Sequence, residues 1–121
     1  MARILIVDDS PTGQLELSKM LQKHGHEIFT AADGEEGVAK AIAEVPDLIL
    51  MDVVMPKLNG FQATRKITQN ASTAHIPVVL VTTKNQETDR MWGERQGAKG
   101  YLVKPVDESI ILSTMKKLLP G

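Results

Sequence analysis

The chain has 121 residues, with 14 Lys plus Arg against 15 Asp plus Glu, a formal net charge of -1, and no cysteine. That length suits one domain with its own core, and the near-neutral balance excludes a global cationic field for nucleic acid or an anionic membrane surface. The lack of thiols excludes disulfides, thiolate metal sites and a cysteine nucleophile. The expectation is therefore a single domain over residues 1–121 in a reducing, cytoplasmic setting, with no nucleic-acid or membrane partner; residues 1–7 are too short and too weakly basic for a signal peptide or a span.

Short runs rich in Val, Ile and Leu alternate with longer stretches of helical period, the pattern of a parallel α/β sheet. The first run, 4–7, ends at Asp8-Asp9. Ser10 and Pro11 then supply an N-cap and a first-turn proline for a helix that sets Leu17, Met20, Leu21 and His24 on one face and stops at Gly25. A second strand at 27–31 is the least apolar and is expected at an edge. A helix over about 34–43 leads to the third strand, 48–51, which ends at Asp52. After a helix over 60–67 comes the strand 78–81, followed by Thr82 and Thr83. The next helix, about 86–96, contains Gly93 at a cost of roughly 1 kcal/mol relative to alanine, and is expected to be the least rigid. The fifth strand, 101–103, ends at Lys104-Pro105, and Asp107 caps a last helix with Ile111, Met115, Leu118 and Leu119 on one stripe.

In an open α/β sheet, ligands collect at the carboxyl ends of the strands, and the chemically active side chains all fall there. Three carboxylates gathered within several Å would repel by roughly 3 kcal/mol per pair at 5 Å and an effective dielectric near 20, or about 10 kcal/mol for three pairs. That rivals the stability of a small domain, so a cation belongs among them. Lys104 offers one charge, and a hard divalent ion such as Mg²⁺ offers two. Any one of these acids alone is better explained as a helix cap or turn residue. Jointly they are not, because Ser10 already serves the first cap and no helix starts directly after Asp52. Pro105, following a lysine flanked by apolar residues, suggests a fixed, even cis, peptide bond that aims Lys104 inward.

Four segments carry a family resemblance: Ile4-Leu5-Ile6-Val7-Asp8-Asp9-Ser10, then Asp47-Leu48-Ile49-Leu50-Met51-Asp52-Val53-Val54-Met55-Pro56 with Gly60 beyond, then Val81-Thr82-Thr83, and Gly97-Ala98-Lys99-Gly100-Tyr101-Leu102-Val103-Lys104-Pro105. In order and spacing, over essentially the whole chain, they resemble the chemotaxis-type response-regulator receiver. Asn59-Gly60-Phe61-Gln62-Ala63-Thr64-Arg65 and Trp92-Gly93-Glu94-Arg95-Gln96-Gly97-Ala98 are most similar to stand-alone receivers of type IV pilus twitching-motility systems. The resemblance implies a doubly wound, flavodoxin-like α/β fold: a five-stranded parallel sheet in order 2-1-3-4-5, flanked by five helices.

It also implies the chemistry. Asp52 would be the phosphoacceptor, taking its phosphoryl group from the phosphohistidine of a CheA-like histidine kinase, and would stay ionised at rest because cations surround it. Asp9, Asp52 and the backbone carbonyl of Val54 would bind Mg²⁺, or Mn²⁺, directly, and Asp8 through water. Lys104 and Thr82 would read the phosphoryl group, and Thr82 with Tyr101 would form the switch, changing the face of the fourth helix, fifth strand and fifth helix toward a downstream protein. The chain would then be a monomeric phosphorelay component and no enzyme beyond its own Mg²⁺-dependent phosphorylation and dephosphorylation. Val54 cannot orient water, which implies slower hydrolysis than an Asn there would allow. Thr83 is expected to be an ordinary loop residue, and His24, His26 and His75 to lie in turns and helix ends without a metal role. Trp92 is open between packing and partner contact.

Three rivals weaken on specific residues. A strand-end Asp phosphohydrolase wants a second acid where Val54 stands, and a flavin or dinucleotide site would be repelled by Asp8-Asp9. An interaction module without phosphorylation would have no need of the complete set of side chains. With no DNA-binding domain expected after the last helix, output would pass by protein contact, or the chain would drain phosphate from a shared kinase.

Overall fold

In the computed structural model, which describes residues 1–120, the apolar runs become β1 (Arg3–Val7), β2 (Glu27–Ala31), β3 (Leu48–Met51), β4 (Val78–Thr82) and β5 (Gly100–Val103). Between and after them run α1 (Pro11–Gln22), α2 (Gly34–Glu44), α3 (Gly60–Gln69), α4 (Glu87–Arg95) and α5 (Glu108–Leu118). The strands form one sheet in the order β2-β1-β3-β4-β5, and every pairing is parallel. This is the expected topology, with β2 at an edge as its weaker apolar pattern required.

Continuous apolar strands are what a sheet covered on both faces demands, because successive side chains point to opposite sides. Leu5, Val7, Ile49, Met51, Val78 and Leu80 face one layer, where Ala41 of α2 and Ala63 and Ile67 of α3 close the core. Ile4, Ile6, Leu48, Leu50, Val79 and Val81 face the other, against Leu17 and Leu21 of α1 and Ile111 and Met115 of α5. Truncating such a fully buried Leu or Ile to Ala typically costs 2 to 5 kcal/mol, roughly, so the two half-cores clamp the strand ends in place.

Four of the five helices, α1, α2, α3 and α5, begin where a side chain satisfies a free amide. Ser10 Oγ accepts from Gly13 N–H at 3.1 Å, Asp33 from Glu36 N–H at 2.8 Å, and Asp107 from Ser109 N–H at 2.8 Å. Asn59 and Gln62 exchange hydrogen bonds in a capping box at the start of α3. Gly93 has a packing reason for its place in α4. It is buried, and a Cβ there would stand 2.5 Å from Leu80 Cδ1, so the missing side chain lets α4 lie close on β4. Its cost in helix propensity is offset by that approach, which sequence periodicity does not show. Among the described residues, no helix is long and apolar enough to cross a membrane.

Candidate functional site

The strand order reverses between β1 and β3, and a crevice opens at their carboxyl ends. Asp8 and Asp9 follow β1, Asp52 follows β3, and one carboxylate oxygen from each lies within 4.8 Å of the others. The backbone sets this spacing. Asp52 N–H donates to Val7 O at 2.8 Å and Asp8 N–H to Ala31 O at 3.0 Å, which extends the ladders past the strands. Gly60, at the start of α3, lies so close to the Asp52 carbonyl that a Cβ would collide with it.

Lys104, at the end of β5, reaches across β4 to this cluster. Its Nζ donates to Asp8 Oδ2 at 2.9 Å and Asp52 Oδ2 at 3.4 Å. The Lys104–Pro105 bond is cis, as its sequence context suggested. Asp8 is 1 % exposed and Asp52 9 %, whereas Asp9 is exposed. The neighbouring acids raise the preference of Lys104 for its charged form, with its pKa above the ordinary value although burial opposes the shift.

At Asp52 the surrounding influences oppose one another. Burial, with the nearby Asp8 charge adding to it, raises its pKa above the ordinary carboxylate value, and the Lys104 charge and the 2.7 Å hydrogen bond from Val53 N–H only partly offset this. Desolvation outweighs the single lysine, and the proximity of opposite charges in the sequence could not reveal that balance. Three carboxylates facing one ammonium leave an excess of negative charge. A donor set made only of hard oxygens suits a hard divalent ion, so these residues fit Mg²⁺.

Thr82 ends β4 and is fully buried. Its Oγ accepts from Lys84 N–H at 3.3 Å, and the Lys84 carbonyl accepts from the Tyr101 hydroxyl at 2.8 Å. Lys84 thus joins the two residues expected to form the switch through its own backbone, a link that carries no side-chain signature in the sequence. The Tyr101 ring packs beside the core below Arg90, whose guanidinium is 5.2 Å from the ring centroid. Val54 turns its side chain to solvent, 58 % exposed, and Thr83 is exposed.

Trp92 is half exposed and sits two residues beyond Arg90, about 200° around α4. Because Arg90 marks the flank facing β5, Trp92 occupies the flank turned away from it. The histidines lie apart from the acidic cluster. His24 is 3.3 Å from Glu108, His26 Nδ1 accepts from Ala2 N–H at 3.0 Å, and His75 is exposed in a turn.

Two residues at this site escaped motif reasoning. Gln14 donates from Nε2 to the carbonyls of Asp8 and Ala31, and Gly13 lies against Asp8. The available signal for Gln14 was periodicity, since it shares the inward stripe of Leu17, Ser18 and Leu21.

The chain is also similar to known proteins. Residues 4–116 match the response regulator receiver domain family. The chain is 60 % identical to Protein PilH of Pseudomonas aeruginosa over 121 residues, covering all of both chains. Among solved structures it is similar to the chemotaxis protein CheY4 of Vibrio cholerae, with a TM-score of 0.92 and 36 % identity over 98 % of this chain and 99 % of that one. The CheX–CheY–BeF3–Mg complex from Borrelia burgdorferi aligns with a TM-score of 0.90 and 30 % identity over 98 % of this chain and 90 % of the other.

Proposed function

The chain belongs to the response regulator receiver domain family, and from that membership we propose that Asp52 is its phosphoacceptor, charged by a CheA-like histidine kinase in type IV pilus twitching-motility signalling. It is a two-component receiver; the assignment of roles to residues rests on the site. The observation that carries it is the meeting of Asp8, Asp9, Asp52 and Lys104 at the ends of β1, β3 and β5. The full-length similarity to Protein PilH supports the pilus system, and the Mg in the Borrelia burgdorferi complex supports the ion.

In this reading an Asp52 carboxylate oxygen forms the new P–O bond as the P–N bond to the kinase histidine breaks and the imidazole keeps the electron pair. Little covalent assistance is required; the site has to position the acceptor and neutralise charge on the phosphoryl oxygens. Asp9, Asp52 and the Val54 carbonyl would hold Mg²⁺ directly and Asp8 through water, and the bound ion would supply positive charge beside the phosphoryl group. Lys104 exchanges one carboxylate partner for a phosphoryl oxygen. The Thr82 hydroxyl donates to another, which pulls on Lys84 and hence on the Tyr101 hydroxyl. That coupling would carry the change from the acceptor to the face formed by α4, β5 and α5, where a downstream protein would bind. A single domain spanning 1–121, monomeric and cytoplasmic, completes the proposal.

The test is incubation with Mg²⁺ and acetyl phosphate followed by intact mass. A gain of one phosphoryl group that disappears in Asp52→Asn is the expected result. An adduct that persists in Asp52→Asn would move the acceptor elsewhere, and none at all would leave a domain that works without phosphorylation.

A further inference from the structure

We infer that Gln14 is a positioning residue for the divalent-cation site, fixing the acid pair after β1 by bridging the ends of β1 and β2. This rests on the proposal that Asp9 and Asp52 ligate Mg²⁺. Gln14 lies in the first turn of α1, and its side chain turns back across the loop instead of out to solvent. Nε2 stands 2.7 Å from Asp8 O and 2.9 Å from Ala31 O. Serving two carbonyl oxygens from one nitrogen takes two protons, and the Gln14 amide NH₂ has two to give.

The consequence for Asp8 is complete engagement. Ser10 N–H donates to Oδ1 at 2.8 Å, Lys104 Nζ to Oδ2 at 2.9 Å, and Gln14 to the main-chain oxygen. Among the described residues, Gln14 is the one protein donor to that carbonyl. An Asp8 residue that is 1 % exposed would lose a hydrogen bond which water cannot readily replace. Gly13 narrows the options further, because a Cβ there would stand 2.5 Å from Asp8 Oδ2. The carbonyl of Ala31 already receives Asp8 N–H at 3.0 Å, so Gln14 locks the last rung of the β1–β2 ladder. Asp9 is the next residue along. Its carboxylate is exposed and has no side-chain partner among the described residues, so its position is set by the backbone that Gln14 holds.

Groups that orient metal ligands from behind typically cost about 10- to 100-fold in metal affinity when removed, and a group that acts through the main chain belongs at the lower end. The experiment is isothermal titration of the intact protein with MgCl₂, without a phosphodonor. Gln14→Met keeps the length and the apolar stem but loses both donors, and is expected to weaken Mg²⁺ binding by about 10-fold. Gln14→Arg, which restores donors in reach of both carbonyls, is expected to recover affinity to within about threefold, although its charge disfavours a nearby cation. Rescue of that kind separates positioning from mere support of the fold.

Wild-type affinity in a folded Gln14→Met, checked by circular dichroism, overturns the inference. If that variant does not fold, ¹⁵N spectra of the wild type decide: the Gln14 side-chain NH₂ resonances should move as Mg²⁺ is added, and unmoved resonances overturn it. An Asp9→Asn control tells the two claims apart. Lost Mg²⁺ binding in Asp9→Asn with none lost in Gln14→Met leaves the acid site standing and removes Gln14 from it. A wild type that takes up no Mg²⁺ overturns both.

Discussion

The two ends of the sheet use the same residue types to opposite effect. At the amino ends of the strands, Arg3 is shared out among Glu27 at 3.4 Å, Glu44 at 3.3 Å and the Glu44 carbonyl at 2.7 Å, while its guanidinium lies 4.9 Å from the Phe29 centroid. Arg3 N–H and Asp47 Oδ2 add a further bond at 2.8 Å. These groups are partly exposed, and water absorbs whatever imbalance remains. At the carboxyl ends, two largely buried carboxylates share one lysine while a third carboxylate stands beside them. Burial and incomplete pairing, rather than the presence of charge, mark the carboxyl end as the candidate site.

The sharpest way to break this contrast is Lys104→Met measured in chelator. Removing the one cation from Asp8 and Asp52 should cost about 2 kcal/mol in chemical denaturation, below the roughly 3 to 5 kcal/mol of a fully buried broken pair because Lys104 keeps some water contact. Mg²⁺ should restore most of the loss. An equal loss with and without Mg²⁺ would mean that the acids are not held apart by missing positive charge.

The matching change at the other end is Arg3→Met, expected to cost about 1 kcal/mol with no dependence on Mg²⁺ and no change in acetyl phosphate labelling. A Mg²⁺-dependent cost there would show that the two ends are coupled.

His26 gives the amino end a pH response. Burial first, then the N-terminal ammonium and His24, lower its pKa, and Nδ1 must stay unprotonated to accept from Ala2. The unfolded chain therefore binds the proton more readily than the folded one. Stability should be full above the ordinary value near 6.5 and should decline as the pH falls from there through the lowered folded value. A denaturation series in wild type and His26→Gln checks this, since the variant should lose that part of the slope. The smallest expected effect is kinetic: Val54→Asn should shorten the lifetime of the phosphorylated protein by offering water a polar group, which a decay measurement would show.

Strand and helix order, the edge position of β2 and the acids at strand ends were all legible without coordinates. They depend on local patterns: short β-branched runs, Ser10 and Asp107 at helix starts, and the placement of Asp8, Asp9, Asp52 and Lys104 after apolar segments. The ordered set of those residues also carried the family resemblance. Less was visible where the answer turned on distances between segments far apart in the chain. Thr82 and Tyr101 could be named, but the backbone of Lys84 that connects them could not, because a carbonyl and an amide exist at every residue. Trp92 could be placed on α4, but its flank was decided by which side of the helix Arg90 turned toward Tyr101.

The sequence by itself determined which side chains stand at the carboxyl ends of the strands, since hydrophobic period and capping residues are properties of neighbouring positions. Only the tertiary structure decided how much water each retains, that burial of Asp52 outweighs Lys104, and that Gln14 reaches two strand ends at once. Desolvation and hydrogen-bond geometry are set by atoms brought together from different elements, and those meet only when the sheet closes between its helices.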